Sequence, residues 1–169
     1  MPYELDAFVA PAATAQELHA RIPQSTLVPL RAGMALVLGP DDIDLIESEQ
    51  IGTVLAGLTV ARIVADFFGG LGWQSAWFYR DGRLTWSDVE NPTTDEDAAT
   101  WPINRALADL GHRPTRRAPW NDAVLLDSFG DVGLGHRQSN AGWIQFAHEG
   151  GDGDAITAAE EELVRRSVG

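Results

Sequence analysis

The stretch Trp73-Gln74-Ser75-Ala76-Trp77-Phe78-Tyr79-Arg80-Asp81-Gly82-Arg83-Leu84-Thr85-Trp86-Ser87 sets the architecture. Two runs rich in aromatic residues flank Asp81-Gly82, a dipeptide that supplies positive φ at both centres of a tight turn, so 73–87 predicts a β-hairpin. Alternation puts Trp73, Ser75, Trp77 and Tyr79 on one face and Gln74, Ala76, Phe78 and Arg80 on the other. If the first face covers the core, its aromatics are ordinary packing. If it meets solvent, it is a binding surface of the kind rich in Trp, Tyr and Arg.

Working outward, Thr59 to Phe68 carries both a four-residue Arg62/Asp66 spacing and an alternation of Ile63, Ala65 and Phe67 with polar neighbours, and reads as a strand. Tyr3 to Val9 predicts a first strand stopped by Pro11, followed by a helix through Arg21 with Thr14 as its cap and Glu17 completing a capping box. Thr26 to Leu30 and Met34 to Leu38 form a second hairpin around Ala32-Gly33, with Pro29 confining the first run to a sheet edge. Pro40 and the acids Asp41, Asp42 and Asp44 open a helix running to Ala56. Thr100 caps a helix whose face is Ile103, Ala106, Leu107 and Leu110 and whose end is marked by Gly111. Asp154 or Thr157 begins a last helix, in which Glu160, Glu161 and Glu162 precede Arg165 and Arg166. The expected fold class is α+β, a mostly antiparallel sheet with packed helices in two layers, in one globular domain over residues 1–169.

Composition narrows the chemistry. The chain has 169 residues and a formal net charge of −13, with twelve acids against three Arg between residues 39 and 98. Phosphate backbones and anionic lipids repel such a surface, so nucleic acid and membranes are poor partners and a basic protein is a good one. Cys and Lys are both absent, which removes thiol nucleophiles, thiolate metal sites, Schiff-base chemistry and a phosphate-loop lysine. No stretch approaches the roughly 20 apolar residues of a membrane helix. The opening Met1-Pro2-Tyr3-Glu4-Leu5-Asp6 lacks the basic start of a secretory signal, and the expected location is cytoplasmic.

The motifs each carry a functional and a plain reading. Gly69-Gly70-Leu71-Gly72 resembles a phosphate-gripping loop but leads into a strand rather than a helix N-terminus, which favours a tight connection. Glu149-Gly150-Gly151-Asp152-Gly153-Asp154 suggests calcium, yet the ligand spacing fails and an acidic turn is expected. The four His show no metal-ligand spacing, and neither a metal nor a cofactor is predicted. No GxSxG is present. Asp131-Val132-Gly133-Leu134-Gly135-His136-Arg137 is a second Gly-rich segment in which His136 and Arg137 could present an imidazole and a guanidinium to an anionic group, and these two, with Asp127 or Asp131, are the catalytic candidates; the plain reading is a surface loop whose Arg pairs with a nearby carboxylate. Arg113, Arg116 and Arg117 could grip a phosphate or acidic peptide, or neutralise the acidic segment. With Trp73, Trp77 and Tyr79, the residues Trp101 and Trp143 complete the candidate binding set, and Trp120 is a further exposed-anchor candidate.

At Phe68-Gly69-Gly70-Leu71-Gly72-Trp73-Gln74, Arg80-Asp81-Gly82-Arg83-Leu84, Pro102-Ile103-Asn104-Arg105-Ala106-Leu107 and Asp131-Val132-Gly133-Leu134-Gly135, the chain resembles small acidic bacterial proteins of actinobacterial type, a family of unknown function. That resemblance covers the middle half of the chain, implies a strand at Thr59 to Phe68, and implies no activity. Two function classes therefore stand. One is a non-enzymatic protein-binding module, of the kind in which an immunity-type inhibitor blocks a basic toxin or enzyme. The other is a small hydrolase or small-molecule-binding enzyme built on the His136/Arg137 loop.

Overall fold

The computed structural model describes residues 2–39, 50–68, 71–91, 98–113 and 128–168. The fold is α+β, built on six antiparallel strands: β1 (Tyr3–Pro11), β2 (Thr26–Pro29), β3 (Met34–Leu38), β4 (Thr59–Phe68), β5 (Leu71–Arg80) and β6 (Arg83–Glu90). They lie in the order β2-β3-β1-β4-β5-β6. Both expected hairpins form, and β2 with its Pro29 takes one edge. The turn between β5 and β6 has φ of 51° at Asp81 and 72° at Gly82. The 59–68 segment is a strand, paired with β1 and β5 along its length, so the alternation rather than the Arg62/Asp66 spacing describes it.

Helices α1 (Ala12–Arg21) and α2 (Ile51–Val54) lie on one face, closing a core of Phe8, Ala10, Val37, Val60, Leu18, Leu55 and Tyr79. On the other face α3 (Pro102–Asp109), α4 (Ser128–Val132), α5 (Asn140–His148) and α6 (Gly153–Val168) cover a larger core, in which Leu5, Leu36, Ile63 and Phe78 meet Ile103, Leu107, Leu134, Trp143 and Ile156. Among the described residues no helix is long and apolar enough to cross a membrane. Of the helix expected from Asp41 to Ala56, residues 41–49 lie outside the described residues and the remainder contains α2.

Helix starts differ from expectation, for one physical reason. α1 begins at Ala12, directly after the strand, and its first amide donates to Gly33 O at 2.8 Å, so Thr14 lies inside the first turn and caps nothing. α3 begins at Pro102 rather than after Thr100, and the buried side chain of Gln74 on β5 accepts from Ile103 N at 2.9 Å. The free amides of a helix N-terminus need an acceptor, and here distant residues supply it. A further helix, α5, is capped by Ser139, whose Oγ accepts from Gly142 N at 3.1 Å. Its Asn140 also exchanges hydrogen bonds with the backbone of Asp6, and Gln138 O accepts from Glu4 N. These contacts close the part of the β1 edge that β3, paired only from Phe8 to Pro11, leaves open.

Candidate functional site

The 131–137 segment is not a surface loop. Ser128–Val132 is a short helix, Leu134–His136 a 3-10 turn, and Val132 and Leu134 are buried. Gly133 joins them at φ 93°, and a Cβ there would lie 2.9 Å from an Ile156 methyl, so α6 packs directly onto this junction. Arg31, from the β2–β3 turn, holds the ensemble. It donates to Gly130 O at 2.6 Å and Asp131 O at 3.0 Å, carbonyls at the α4 end, and its second face meets Glu160 of α6.

This packing separates the catalytic candidates. The Asp131 carboxylate goes to His112, whose Nε2 lies 2.9 Å from Asp131 Oδ2, near enough for an ion contact but off the line of a hydrogen bond. His136 stands instead beside Arg137, Nη1 to Nε2 2.7 Å, with its ring edge-on to Phe146 at 5.0 Å and near Trp143. Burial lowers its pKa first, Arg137 and Arg31 lower it further, and Glu160 opposes them. A neutral His136 accepting from the Arg137 guanidinium is a packing arrangement, and Arg137 itself lies over the Phe146 ring at 4.9 Å. Asp127 lies outside the described residues. Asp152 of the acidic turn caps α6, accepting from Ala155 N at 2.9 Å. The Gly-rich connection ends in strand β5, where a Cβ on Gly72 would lie 2.1 Å from Asp66 O; that position serves close strand approach.

The binding candidates divide likewise. Trp143 is fully buried at the centre of the larger core, not an exposed anchor, because α5 turns it inward. Trp101 is half-buried at the start of α3, Arg113 is exposed beside buried His112, and Arg116, Arg117 and Trp120 lie outside the described residues. The face carrying Trp73, Trp77 and Tyr79 is core at one end and open at the other. Tyr79 belongs to the smaller core, where burial raises its pKa against the opposing effect of Arg62. Trp77 is half-buried under the Arg62 guanidinium, 5.6 Å from the ring, while Arg62 also binds Asp6 through two bonds of 2.8 and 3.0 Å. Trp73 is 39% exposed.

Register extends this open end across the sheet. Asp66 is opposite Glu4 and Trp73, and Val64 opposite Asp6 and Ser75; Val89 is opposite Ser75, and Phe68 ends β4. Phe68 is 69% and Val89 62% exposed, an apolar display that the sequence reading missed because no single strand contains it. Alternation along β4 was its only visible signal. An extra residue, Thr85, bulges β6, re-aims Leu84 onto this face beside Tyr79, and disrupts the outer edge against further strand pairing.

Searches against protein-family models, curated proteins and solved structures find no match.

Proposed function

We propose that this chain is a non-enzymatic protein-binding module that docks a basic partner on the open half of its sheet. The observation that carries this reading is the exposure of Phe68, Trp73 and Val89 on one face, bordered by the carboxylates of Glu4 and Asp66. Large apolar side chains rimmed by charge mark interaction surfaces, and acidic rims favour basic partners. A small acidic protein blocking a basic toxin or enzyme, as immunity-type inhibitors do, fits the net charge of −13. The hydrolase reading lacks comparable support, since Asp131 lies against His112 and His136 packs on Phe146 beside Arg137, so the two are not brought together.

The test is affinity capture from the source cell with wild type and with the Trp73→Ala/Val89→Ser double variant, at low and high salt, followed by titration of the purified captured protein. A basic protein held by wild type, weakened by salt and lost by the double variant is expected. Binding that ignores both salt and the double substitution overturns the reading.

A further inference from the structure

The open half-face has a feature that apolar docking alone does not explain. Glu4 and Asp66 are directly opposed on neighbouring strands, and both are exposed. Opposed residues in an antiparallel pair have Cβ atoms about 5 Å apart, and like charges so placed destabilise the sheet. Among the described residues neither carboxylate has an ion pair or a side-chain hydrogen bond, whereas Asp6, one pleat away, is matched by both arms of Arg62. Trp73 continues the same cross-strand row on β5, and Phe68 is the next residue on that face of β4. Beside Trp73 along the strand, Ser75 is 1% exposed and its Oγ has no hydrogen-bond partner. A buried hydroxyl left unpaired costs free energy, as the opposed carboxylates do. Two unfavourable features therefore adjoin one exposed indole.

One chemical group relieves the opposed carboxylates and covers the indole, while Ser75 Oγ, shut off from solvent, lies beyond its reach. We infer that the Glu4–Asp66–Trp73 row is the recognition site for an arginine side chain of the docked partner. The planar guanidinium has five N–H donors, enough to bridge two carboxylates, and its flat face stacks on an indole. Its aliphatic stem lies along Phe68 and Trp73. A lysine ammonium is a hydrated point charge that neutralises the carboxylates without stacking as a plane, so arginine is preferred. This inference rests on the docking reading and adds the chemistry of its central contact.

The experiment is a two-dimensional NMR titration of the full chain with blocked Gly-Arg-Gly, Gly-Lys-Gly and Gly-norleucine-Gly peptides, together with thermal unfolding of each variant. The arginine peptide shifts the amides around Glu4, Asp66, Trp73 and Ser75, the lysine peptide less, and the norleucine peptide least. Asp66→Asn and Trp73→Ala each weaken the arginine response about five- to tenfold, the loss of one charge-assisted or cation–π contact. Asp66→Asn also raises the melting temperature of the free protein, which marks the row as strained for binding rather than built for stability. Equal responses to arginine and norleucine, or an arginine response that survives Asp66→Asn and Trp73→Ala, overturn the inference. If those results come while the basic partner still needs Trp73 and Val89, the docking reading survives without an arginine contact. If arginine binds the row but no basic protein requires Trp73 and Val89, guanidinium recognition stands and the docking reading falls.

Discussion

The two faces of this sheet are built from the same six strands and the same alternation, yet they treat aromatic side chains in opposite ways. On the helix-rich face Phe78 and Trp86 stack in parallel at 5.7 Å, Trp86 donates to Asp109, and Arg105 covers its ring. Trp143 lies fully buried between α5 and the strands. On the other face, among the described residues, α1 and α2 cover only the end nearest Tyr79, and the far end shows Phe68 and Trp73 to solvent beside acids with no ion pair. Aromatic residues thus hold the fold together where helices cover them, Phe8 and Tyr79 included, and are left available at the far end of the second face.

The sharpest way to break this contrast is to truncate one tryptophan from each face. Trp143→Ala is expected to cost about 3–5 kcal/mol of unfolding free energy, measured by denaturant titration, as for any large side chain removed from a packed core. Trp73→Ala, at a side chain 39% exposed, should cost clearly less, about 1–2 kcal/mol, and act on partner affinity as well. Similar losses for both would erase the distinction between the faces.

Arg31 tests what holds the helix-rich face in place. Arg31→Ala strands the Glu160 carboxylate and the carbonyls of Gly130 and Asp131, a loss expected at about 2–4 kcal/mol. Calorimetry of the variant should show it, with no effect on the open face. An unchanged melting temperature would mean that α4 and α6 are held by apolar packing alone.

His136 supplies a pH dependence confined to the same side. Its pKa in the fold is lowered from the ordinary 6.5, so the unfolded chain binds the extra proton first as pH falls. The stabilisation from neutral His136 is complete above the unfolded value and is lost as pH drops through 6.5 towards the lower folded value. His136→Phe should flatten stability over that window, and an identical pH profile in wild type and variant would show that the fold does not favour the neutral form of His136.

The smallest effect belongs to the open face. Glu4→Gln should stabilise the free protein by about 0.2–1 kcal/mol at low salt, with the gain shrinking as salt rises. A loss of stability would mean that Glu4 makes a favourable contact in solution.

Much of this was legible locally. The Asp81-Gly82 turn, the alternation of Trp73 to Arg80 and the edge placement of Pro29 depend on φ preferences and the pleat, which a short window of residues contains. The helix starts at Ala12 and Pro102 were not legible, because Gly33 and Gln74 satisfy them from elsewhere in the chain. Nor was the separation of Asp131 from His136: adjacency in sequence suggested one site, and the Gly133 junction under α6 sends each to a different neighbour.

Residue types and their spacing alone determined that this is an acidic α+β chain with two tight hairpins and no thiol or lysine chemistry, since turn geometry, pleat and composition are local properties. Tertiary structure alone decided which tryptophan is core and which is surface, and that Glu4, Asp66 and Trp73 form one row. Both depend on strand register and helix placement, and those are set by contacts between residues some 60 to 140 positions apart, which no window of sequence contains.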